Sequence, residues 1–228
     1  NEYNKGRKKK VLITRELDSK GVFCRTLIQN GYEVSGIPLI DIVPVSFSLP
    51  LYYKWVFFTS PNAVNQFFSL INLPELGKKK IACLGVGTAN ALKKFNVDSD
   101  FMGKKEIGRV AKEFAEVIGE EKVLFPGAKN GKRSVQKILQ ESQVIDLPIY
   151  ETQLKDLVFQ ETFYSVVFTS PSNVRAFFNS GNTSSSFQKA IAIGKSTEME
   201  LLQNGVKPVL ANSYLEEDWS DAAISSSF

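Results

Sequence analysis

The sequence contains no histidine among its 228 residues. This absence excludes a Ser-His-Asp triad, a Cys-His pair and any metal site built on imidazole. Only two cysteines are present, and we expect Cys24 and Cys83 to be small buried residues that form no disulfide, as in a reducing compartment. No apolar run approaches the roughly 18 residues that a membrane span needs, and no signal-peptide pattern opens the chain. We therefore expect a cytoplasmic protein without a membrane partner.

Neither sign of charge is in large excess, since the formal net charge is +4. Much of it lies in the leader NEYNKGRKKK (1–10), which lacks an initial methionine and which we expect to be a processed or trimmed start. We interpret Lys8–Lys10 as a solvated tail, with a nucleic-acid arm as the alternative. Elsewhere, aromatic and basic residues do not alternate as they do in single-strand binders, and we expect no nucleic-acid partner.

One stretch is present twice. WVFFTSPNAVNQFF at 55–68 returns as SVVFTSPSNVRAFF at 165–178, at an offset of 110 residues (169 − 59). Each copy begins with a short apolar run typical of a buried strand. A Ser-Pro pair follows at once, which predicts a helix with its N-cap at Ser60 or Ser170. The free N–H groups at such a helix start make an anion site at the sheet edge.

The repeat extends outward and predicts two units with one order of elements. IPLID at 37–41 matches LPIYE at 147–151, and LGVGTANAL at 84–92 matches IGKSTEMEL at 193–201. Strand-like and helix-like segments alternate, including helices expected over 17–30 and 131–142. This alternation predicts an α/β fold of two flavodoxin-like lobes with parallel sheets.

Ligands of parallel sheets bind beyond the carboxyl ends of the strands, so the residues expected there are the candidate site. They are mostly small hydroxylated residues and glycines at helix starts, with a few cations, which suits a ligand that carries several carboxylates or phosphates. Each alone can be a simple helix cap. The candidates are Thr14, Arg15, Thr59, Ser60, Asn62, Gly87, Thr88, Gly127, Lys129, Ser170, Ser172, Asn173, Lys195, Ser196 and Thr197.

Known nucleotide motifs do not fit. LGVGTAN at 84–90 lacks the third glycine of a dinucleotide fingerprint, and GAKNGKR at 127–133 lacks the P-loop spacing. We expect neither a metal nor a cofactor.

The motifs taken together resemble the uroporphyrinogen-III synthase family. Each motif alone is weak, but the set in this order is specific and covers nearly the whole chain after the leader. The motifs are Thr14-Arg15, F-T-S-P-N-A-V at 58–64, Gly-x-x-Thr-Ala at 85–89, VLFPG at 123–127, L-P-x-Y-x-T at 147–152, F-T-S-P-S at 168–172 and Gly-x-x-Thr at 194–197.

The resemblance implies two lobes joined by a two-stranded connector. Residues 1–36 and 152–228 would form one discontinuous lobe, 43–145 the other, and 37–42 with 146–151 the connector. It also implies an enzyme that cyclises hydroxymethylbilane with loss of water and inversion of ring D to give uroporphyrinogen III.

By the same resemblance, Tyr150 is the candidate acid that protonates the departing hydroxyl, and a packing role is its alternative. The alternative for the whole chain is a two-lobed module that binds an anionic ligand without chemistry. Nothing in the sequence demands a dimer, and we expect a monomer.

Overall fold

The computed structural model describes residues 6–226, so residues 1–5 of the leader lie outside the described part. The chain forms two compact units. Unit 1 contains the chain up to Asp41 and again from Gln153 onward, and unit 2 is Ile42–Thr152. The chain thus leaves unit 1 once and returns to it.

Strands and α-helices alternate over most of the described residues. In chain order they are β1 (Lys10–Ile13), α1 (Val22–Gln29), β2 (Glu33–Gly36), β3 (Ile40–Pro44), β4 (Trp55–Phe58), α2 (Pro61–Phe68), β5 (Lys80–Leu84), α3 (Val86–Lys93), β6 (Phe101–Gly103), α4 (Ile107–Ile118), β7 (Val123–Ala128), β8 (Val144–Leu154), β9 (Phe163–Phe168), α5 (Pro171–Asn179), β10 (Phe187–Ala192), α6 (Lys195–Gln203), β11 (Val209–Leu210) and α7 (Glu216–Ile224).

The strands form two sheets. One has five strands in the order β11-β10-β9-β1-β2, and all of its pairings are parallel. The other has six strands in the order β3-β8-β7-β4-β5-β6, with parallel pairings from β8 to β6. The α/β class with parallel sheets that the sequence predicts is confirmed.

The strands of the two sheets are arranged in the same way in space, but the chain forms them in a different order. Numbered along unit 1, its strands run 2-1-3-4-5, which is the flavodoxin-like order. When the strands of unit 2 are numbered along the chain from β4 as strand 1, their order in the sheet is 3-2-1-4-5. The orders coincide if β7 and β8 are counted first, because β7 and β8 then take the places of β1 and β2.

The strand β3 lies beside β8 at the edge of the six-stranded sheet. The N–H of Val45 donates to the carbonyl of Ile149 (2.9 Å), and the N–H of Lys155 donates to that of Leu39 (2.9 Å). The residue numbers therefore run in opposite directions along the two strands, which makes the pair antiparallel. The chain enters unit 2 within β3 and leaves it within β8.

Each unit buries apolar side chains on both faces of its sheet. In β4, Val56 and Phe58 belong to one buried cluster, and Trp55 and Phe57 belong to another. This alternation is the period of two that a strand imposes, and both faces are apolar because helices cover both. In unit 1, Leu12 belongs to one buried cluster, and its two neighbours in β1 belong to another.

Two expected helices differ in the structure. The helix expected over 17–30 begins only at Val22, because Asp18 organises a turn before it: the N–H of Lys20 donates to the Asp18 carboxylate and that of Gly21 to the Asp18 carbonyl, both at 3.0 Å. The α-helix expected over 131–142 is absent; turns replace it, and a short 3-10 helix follows at Glu141–Gln143. Arg133 has φ of 52°, a left-handed conformation that ends helical continuity.

In the described part of the chain, 6–226, we find no helix with the length and apolar character needed to cross a membrane.

Candidate active site

In unit 2, the turn from β4 into α2 has the predicted capped geometry. Ser60 is the N-cap with extended backbone, and its hydroxyl accepts a hydrogen bond from the N–H of Ala63 at 3.2 Å. Pro61 is the first helical residue, where its missing N–H costs nothing. Thr59 and Asn62 flank this cap and are half-buried. The turn therefore offers the Asn62 N–H and three polar side chains at the carboxyl edge of the sheet.

Tyr150 lies at the same turn. It is only 5% exposed, and its hydroxyl oxygen is 3.4 Å from the Ser60 hydroxyl oxygen. Burial raises the pKa of Tyr150 above its ordinary value, and the hydrogen bond with Ser60 offsets part of that rise. The hydroxyl is therefore protonated at neutral pH and can donate a hydrogen bond.

The end of β7 fixes the backbone at Tyr150. The pairing of β7 with β8 is irregular between Gly127 and Ala128, and the N–H of Lys129 donates to the Tyr150 carbonyl at 2.7 Å. The Lys129 side chain is exposed, and a methyl group at Gly127 would meet no atom within 4 Å. These two candidates hence lie at the edge beside Tyr150, with open space next to Gly127.

The next helix start in unit 2 has no side-chain cap. Gly85 precedes α3 with φ of 83°, a conformation that favours glycine. Its N–H donates to the Gly103 carbonyl at 2.8 Å, which holds the turn on β6. Thr88 is buried, whereas Gly87 is half-buried. The first N–H groups of α3 are available to a ligand because a helix leaves them unpaired.

In unit 1, Thr14 joins the ends of two neighbouring strands. It is buried, its hydroxyl accepts from the N–H of Thr169 at 3.0 Å, and the Thr169 hydroxyl donates to the Thr14 carbonyl at 3.0 Å. The Thr14 side chain thus holds β1 against β9.

Ser170, Ser172 and Asn173 form a small hydrogen-bonded group at the start of α5. Ser170 is the N-cap, as predicted, and accepts from the Asn173 N–H at 3.2 Å. The buried Asn173 amide donates to the Ser170 hydroxyl at 2.7 Å and accepts from the Leu39 N–H at 2.9 Å. Asn173 therefore binds the segment before β3 to α5. Ser170 and Ser172 are half-buried with their hydroxyl oxygens 3.1 Å apart.

Arg15 is held by α7. Its guanidinium forms an ion pair with Glu216 and lies 4.9 Å from the Trp219 ring centroid. Glu216 also accepts from the N–H of Phe23 at 3.1 Å. Burial alone would raise the pKa of Glu216, but this N–H and Arg15 outweigh it, and the pKa lies below its ordinary value. Arg15 would have to exchange partners to bind a ligand through the same nitrogen.

The start of α6 is a second uncapped helix terminus. Gly194 precedes it without a side-chain cap. Lys195 and Ser196 are exposed, and Thr197 is buried. The Lys195 ammonium is 2.7 Å from the Glu198 carboxylate, so the cation is partly neutralised by its own helix.

Sequence reasoning missed Tyr214 at this edge. A methyl group at Gly194 would lie 2.7 Å from the Tyr214 hydroxyl oxygen, so the ring packs directly on the turn into α6. Burial raises the pKa of Tyr214 above its ordinary value. Tyr214 follows β11, and no repeated motif marks it. Glu216 was missed for a similar reason, since 201 positions separate it from Arg15.

The structure thus brings the predicted residues into two groups. One lies at the carboxyl edge of the unit 2 sheet and is built around Ser60 and Tyr150. The other lies at the carboxyl edge of the unit 1 sheet, around Thr14 and Ser170. Both offer backbone N–H groups and hydroxyls. These features define a class of α/β protein with two parallel-sheet units, each of which carries anion-binding donors at its carboxyl edge.

Comparison with known proteins identifies the family. Residues 22–220 match the family model described as "Uroporphyrinogen-III synthase HemD". The chain belongs to the uroporphyrinogen-III synthase family, and the family resemblance seen in the sequence is confirmed.

Two relatives show the extent of the similarity. The porphyrin biosynthesis protein HemD of Ruminiclostridium josui is 33% identical over 197 residues, which cover 75% of this chain and 39% of that protein. The chain thus spans well under half of that relative. The putative uroporphyrinogen-III synthase of Methanocaldococcus jannaschii is 29% identical over 241 aligned residues, which cover 91% of this chain and 95% of that protein.

Solved structures show the same fold. The uroporphyrinogen-III synthetase of Helicobacter pylori aligns with a TM-score of 0.63 and 20% identity, over 92% of this chain and 95% of that one. A mutant uroporphyrinogen III synthase of Thermus thermophilus aligns with a TM-score of 0.61 and 16% identity, over 92% and 96% of the two chains.

Proposed function

We propose that this chain is a uroporphyrinogen-III synthase that converts hydroxymethylbilane into uroporphyrinogen III in tetrapyrrole biosynthesis. The observation that carries the proposal is the pairing of Tyr150 with the Ser60 cap, within a chain whose family is established. A protonated hydroxyl lies there beside a helix start that favours negative charge.

The donors at the two sheet edges suit this substrate. Hydroxymethylbilane is a linear tetrapyrrole in which each ring carries an acetate and a propionate, so it presents many carboxylates. Backbone N–H groups at the starts of α2, α3, α5 and α6 can hold carboxylates without a full positive charge. Arg15, Lys129 and Lys195 supply the cations among the proposed binding residues.

Four candidates enter the proposal with a supporting role. Thr14 and Asn173 hold neighbouring segments together through hydrogen bonds of 3.0 and 2.9 Å, so they shape the edge on which a ligand would lie. Thr88 and Thr197 are likewise buried. We propose that Thr59, Ser60, Asn62, Ser170, Ser172 and Ser196, together with the backbone at Gly87 and Gly127, make the direct contacts.

The reaction requires the protein to donate one proton and later to recover one. The substrate hydroxyl departs as water after accepting a proton from Tyr150, and an azafulvenium cation remains. Ring D attacks this cation through its substituted carbon, and the resulting spirocyclic intermediate reopens and closes with ring D inverted. The final pyrrole carbon then loses a proton, which restores the Tyr150 hydroxyl. The net products are uroporphyrinogen III and water.

Most of the catalytic task is control of conformation. Hydroxymethylbilane cyclises unaided to the uninverted isomer, so the protein must favour attack through the substituted carbon. Donors fixed on rigid strand ends and helix starts can do this by orientation. General acid assistance by Tyr150 adds a further factor of about 10²–10⁴.

The decisive experiment is incubation of the protein with hydroxymethylbilane, followed by separation of the product isomers. The inverted isomer should dominate, and a sample without protein supplies the uninverted reference. If only the uninverted isomer forms at the unassisted rate while the ligand still binds, the chain is a binding module without this activity.

We further propose that the protein works in the cytoplasm as a monomer, without nucleic acid and without a membrane-spanning segment. The two free, buried cysteines support a reducing compartment. Light scattering during gel filtration measures the oligomeric state.

A further inference from the structure

The loop before β4 carries two adjacent apolar side chains that extend into solvent. Leu51 is 81% exposed and Tyr52 is 80% exposed, whereas the next residue, Tyr53, is only 7% exposed. Single exposed apolar residues are common on protein surfaces. Two neighbours that are both this exposed, at the amino edge of a sheet, form a small protruding apolar tip.

A row of lysines lies beside this tip. Lys54, Lys80 and Lys122 stand at the starts of β4, β5 and β7, which are neighbours in the sheet. The Lys54 N–H donates to the Lys122 carbonyl at 3.0 Å, and the Lys80 N–H donates to the Lys54 carbonyl at 2.9 Å. Since adjacent strands are about 4.8 Å apart, the three backbone positions lie within about 10 Å.

The tip and the lysines share one shallow depression. Leu51, Tyr52, Lys54, Lys79 and Lys122 border a space of about 290 Å³. The ammonium nitrogen of Lys79 lies 4.5 Å from the centroid of the Tyr53 ring, so this lysine packs on the buried tyrosine that follows the tip.

One acidic side chain also borders the depression. Glu121 accepts from the Trp55 indole N–H at 2.7 Å, and its carboxylate lies 3.7 Å from the Lys54 ammonium. Three lysines and one glutamate therefore border the depression, and Lys80 adds a further positive charge beside it.

We propose that this surface, called the lysine edge and made of Leu51, Tyr52, Lys54, Lys79, Lys80 and Lys122, docks onto the surface of an anionic phospholipid bilayer. Lysines are attracted to anionic headgroups, and the amphipathic ring of a tyrosine is favoured at headgroup depth. The leucine side chain enters the acyl region beside it.

A bilayer fits this surface better than a macromolecule does. A stable protein interface needs about 800 Å² from each partner with matching shape, whereas two side chains make up the apolar part here. The phosphates of a nucleic acid would attract the lysines, but they offer no apolar environment for the exposed leucine. A bilayer attracts the lysines and also buries the leucine, and it requires no shape complementarity.

The lysine edge is at the opposite end of the strands from Tyr150. The β4 strand begins after Lys54 and ends before the Ser60 cap, so docking leaves the candidate active site free. The sequence indicates no membrane partner because no segment can span a bilayer, but surface docking needs no span. The inference is independent of the proposed activity.

Sedimentation with vesicles tests the proposal. The wild-type protein should sediment with vesicles of phosphatidylcholine and phosphatidylserine, should not sediment with phosphatidylcholine alone, and should be released by salt. Removing Lys54 and Lys122 together (Lys54→Gln with Lys122→Gln) should weaken binding about fivefold for each lysine. The double change Leu51→Ser with Tyr52→Ser should weaken it about tenfold or more.

Matched controls distinguish the surface from general charge or hydrophobicity. Lys112→Gln removes an exposed lysine on α4, and Val158→Ser removes a half-exposed apolar side chain of unit 1. Both should bind vesicles as the wild type does. The proposal is overturned if the protein ignores phosphatidylserine, if the controls lose as much binding as the test variants, or if the Leu51 and Tyr52 changes have no effect. It is also overturned if the lysine variants lose binding only to an RNA oligonucleotide and not to vesicles.

Discussion

Replacing Tyr150 by phenylalanine would remove one hydroxyl and leave the buried ring in place. That hydroxyl has one hydrogen-bond contact among the described residues, with Ser60 at 3.4 Å. A neutral hydrogen bond contributes about 1 kcal/mol to stability, and one this long contributes less. Ser60 keeps its other bond, from the Ala63 N–H. The free energy of unfolding of Tyr150→Phe should therefore fall by less than about 1 kcal/mol.

The expected effect on catalysis is much larger. A general acid contributes about 10²–10⁴-fold, which corresponds to about 3–5 kcal/mol of transition-state stabilisation. Turnover of hydroxymethylbilane by Tyr150→Phe should fall within this range, and the remaining product should still be the inverted isomer. The contrast between the two magnitudes separates a chemical role from a packing role. Tyr53→Phe, which removes a hydroxyl from another buried tyrosine of unit 2, is the matched control and should keep its turnover.

The pH dependence offers a second measurement on the same residue. Because burial raises the pKa of Tyr150, the wild-type enzyme should show no loss of turnover from Tyr150 ionisation below about pH 10. Near-normal turnover of Tyr150→Phe would refute the role as an acid. A switch to the uninverted isomer would show instead that Tyr150 acts on the conformation of the substrate.

Three further predictions concern stability, each measured by urea unfolding. Asn173→Ala should destabilise the protein by about 1–3 kcal/mol because it leaves a buried backbone N–H unpaired, whereas Ser172→Ala should cost less than about 1 kcal/mol. Gly103→Ala should cost about 1–3 kcal/mol, since the added methyl group would lie 2.3 Å from a Val110 methyl in the core. Glu216→Gln should cost about 1–2 kcal/mol at neutral pH. Because the pKa of Glu216 is lowered in the folded protein, the stabilisation is present above its ordinary pKa, and the difference from wild type should disappear as the pH falls through the lowered value.

The sequence predicted the elements that depend on local signals. The turns into α2 and α5 were predicted because a Ser-Pro pair after a β-branched and aromatic run specifies both the strand end and the cap. The prediction of a helix over 131–142 was wrong because the conformation of this segment depends on residues outside it. Arg133 there binds Asp146 at 2.7 Å, which holds the segment against β8 in a conformation that local propensity does not encode.

Within the candidate site, the helix starts were predictable and their partners were not. The approach of Tyr150 to Ser60 depends on strand order, across 90 positions of sequence. The bond between Asn173 and Leu39 spans 134 positions. Strand order follows from how the packed faces fit together, and no local pattern in the sequence specifies it.

The discontinuity of unit 1 has a consequence for how the protein is made. Unit 2 is one continuous segment, so its sheet can form as soon as residue 152 has left the ribosome. The first strand of unit 1 must wait for strands that are made after unit 2, since β1 pairs with β9 and Thr14 reaches Thr169 across 155 positions. Until then β1 and β2 have no central partner, and their unpaired edge is open to wrong association. The charged residues directly before β1 would oppose such contacts by electrostatic repulsion during synthesis. This protection is needed only until the remaining strands of unit 1 have been made and have paired with β1.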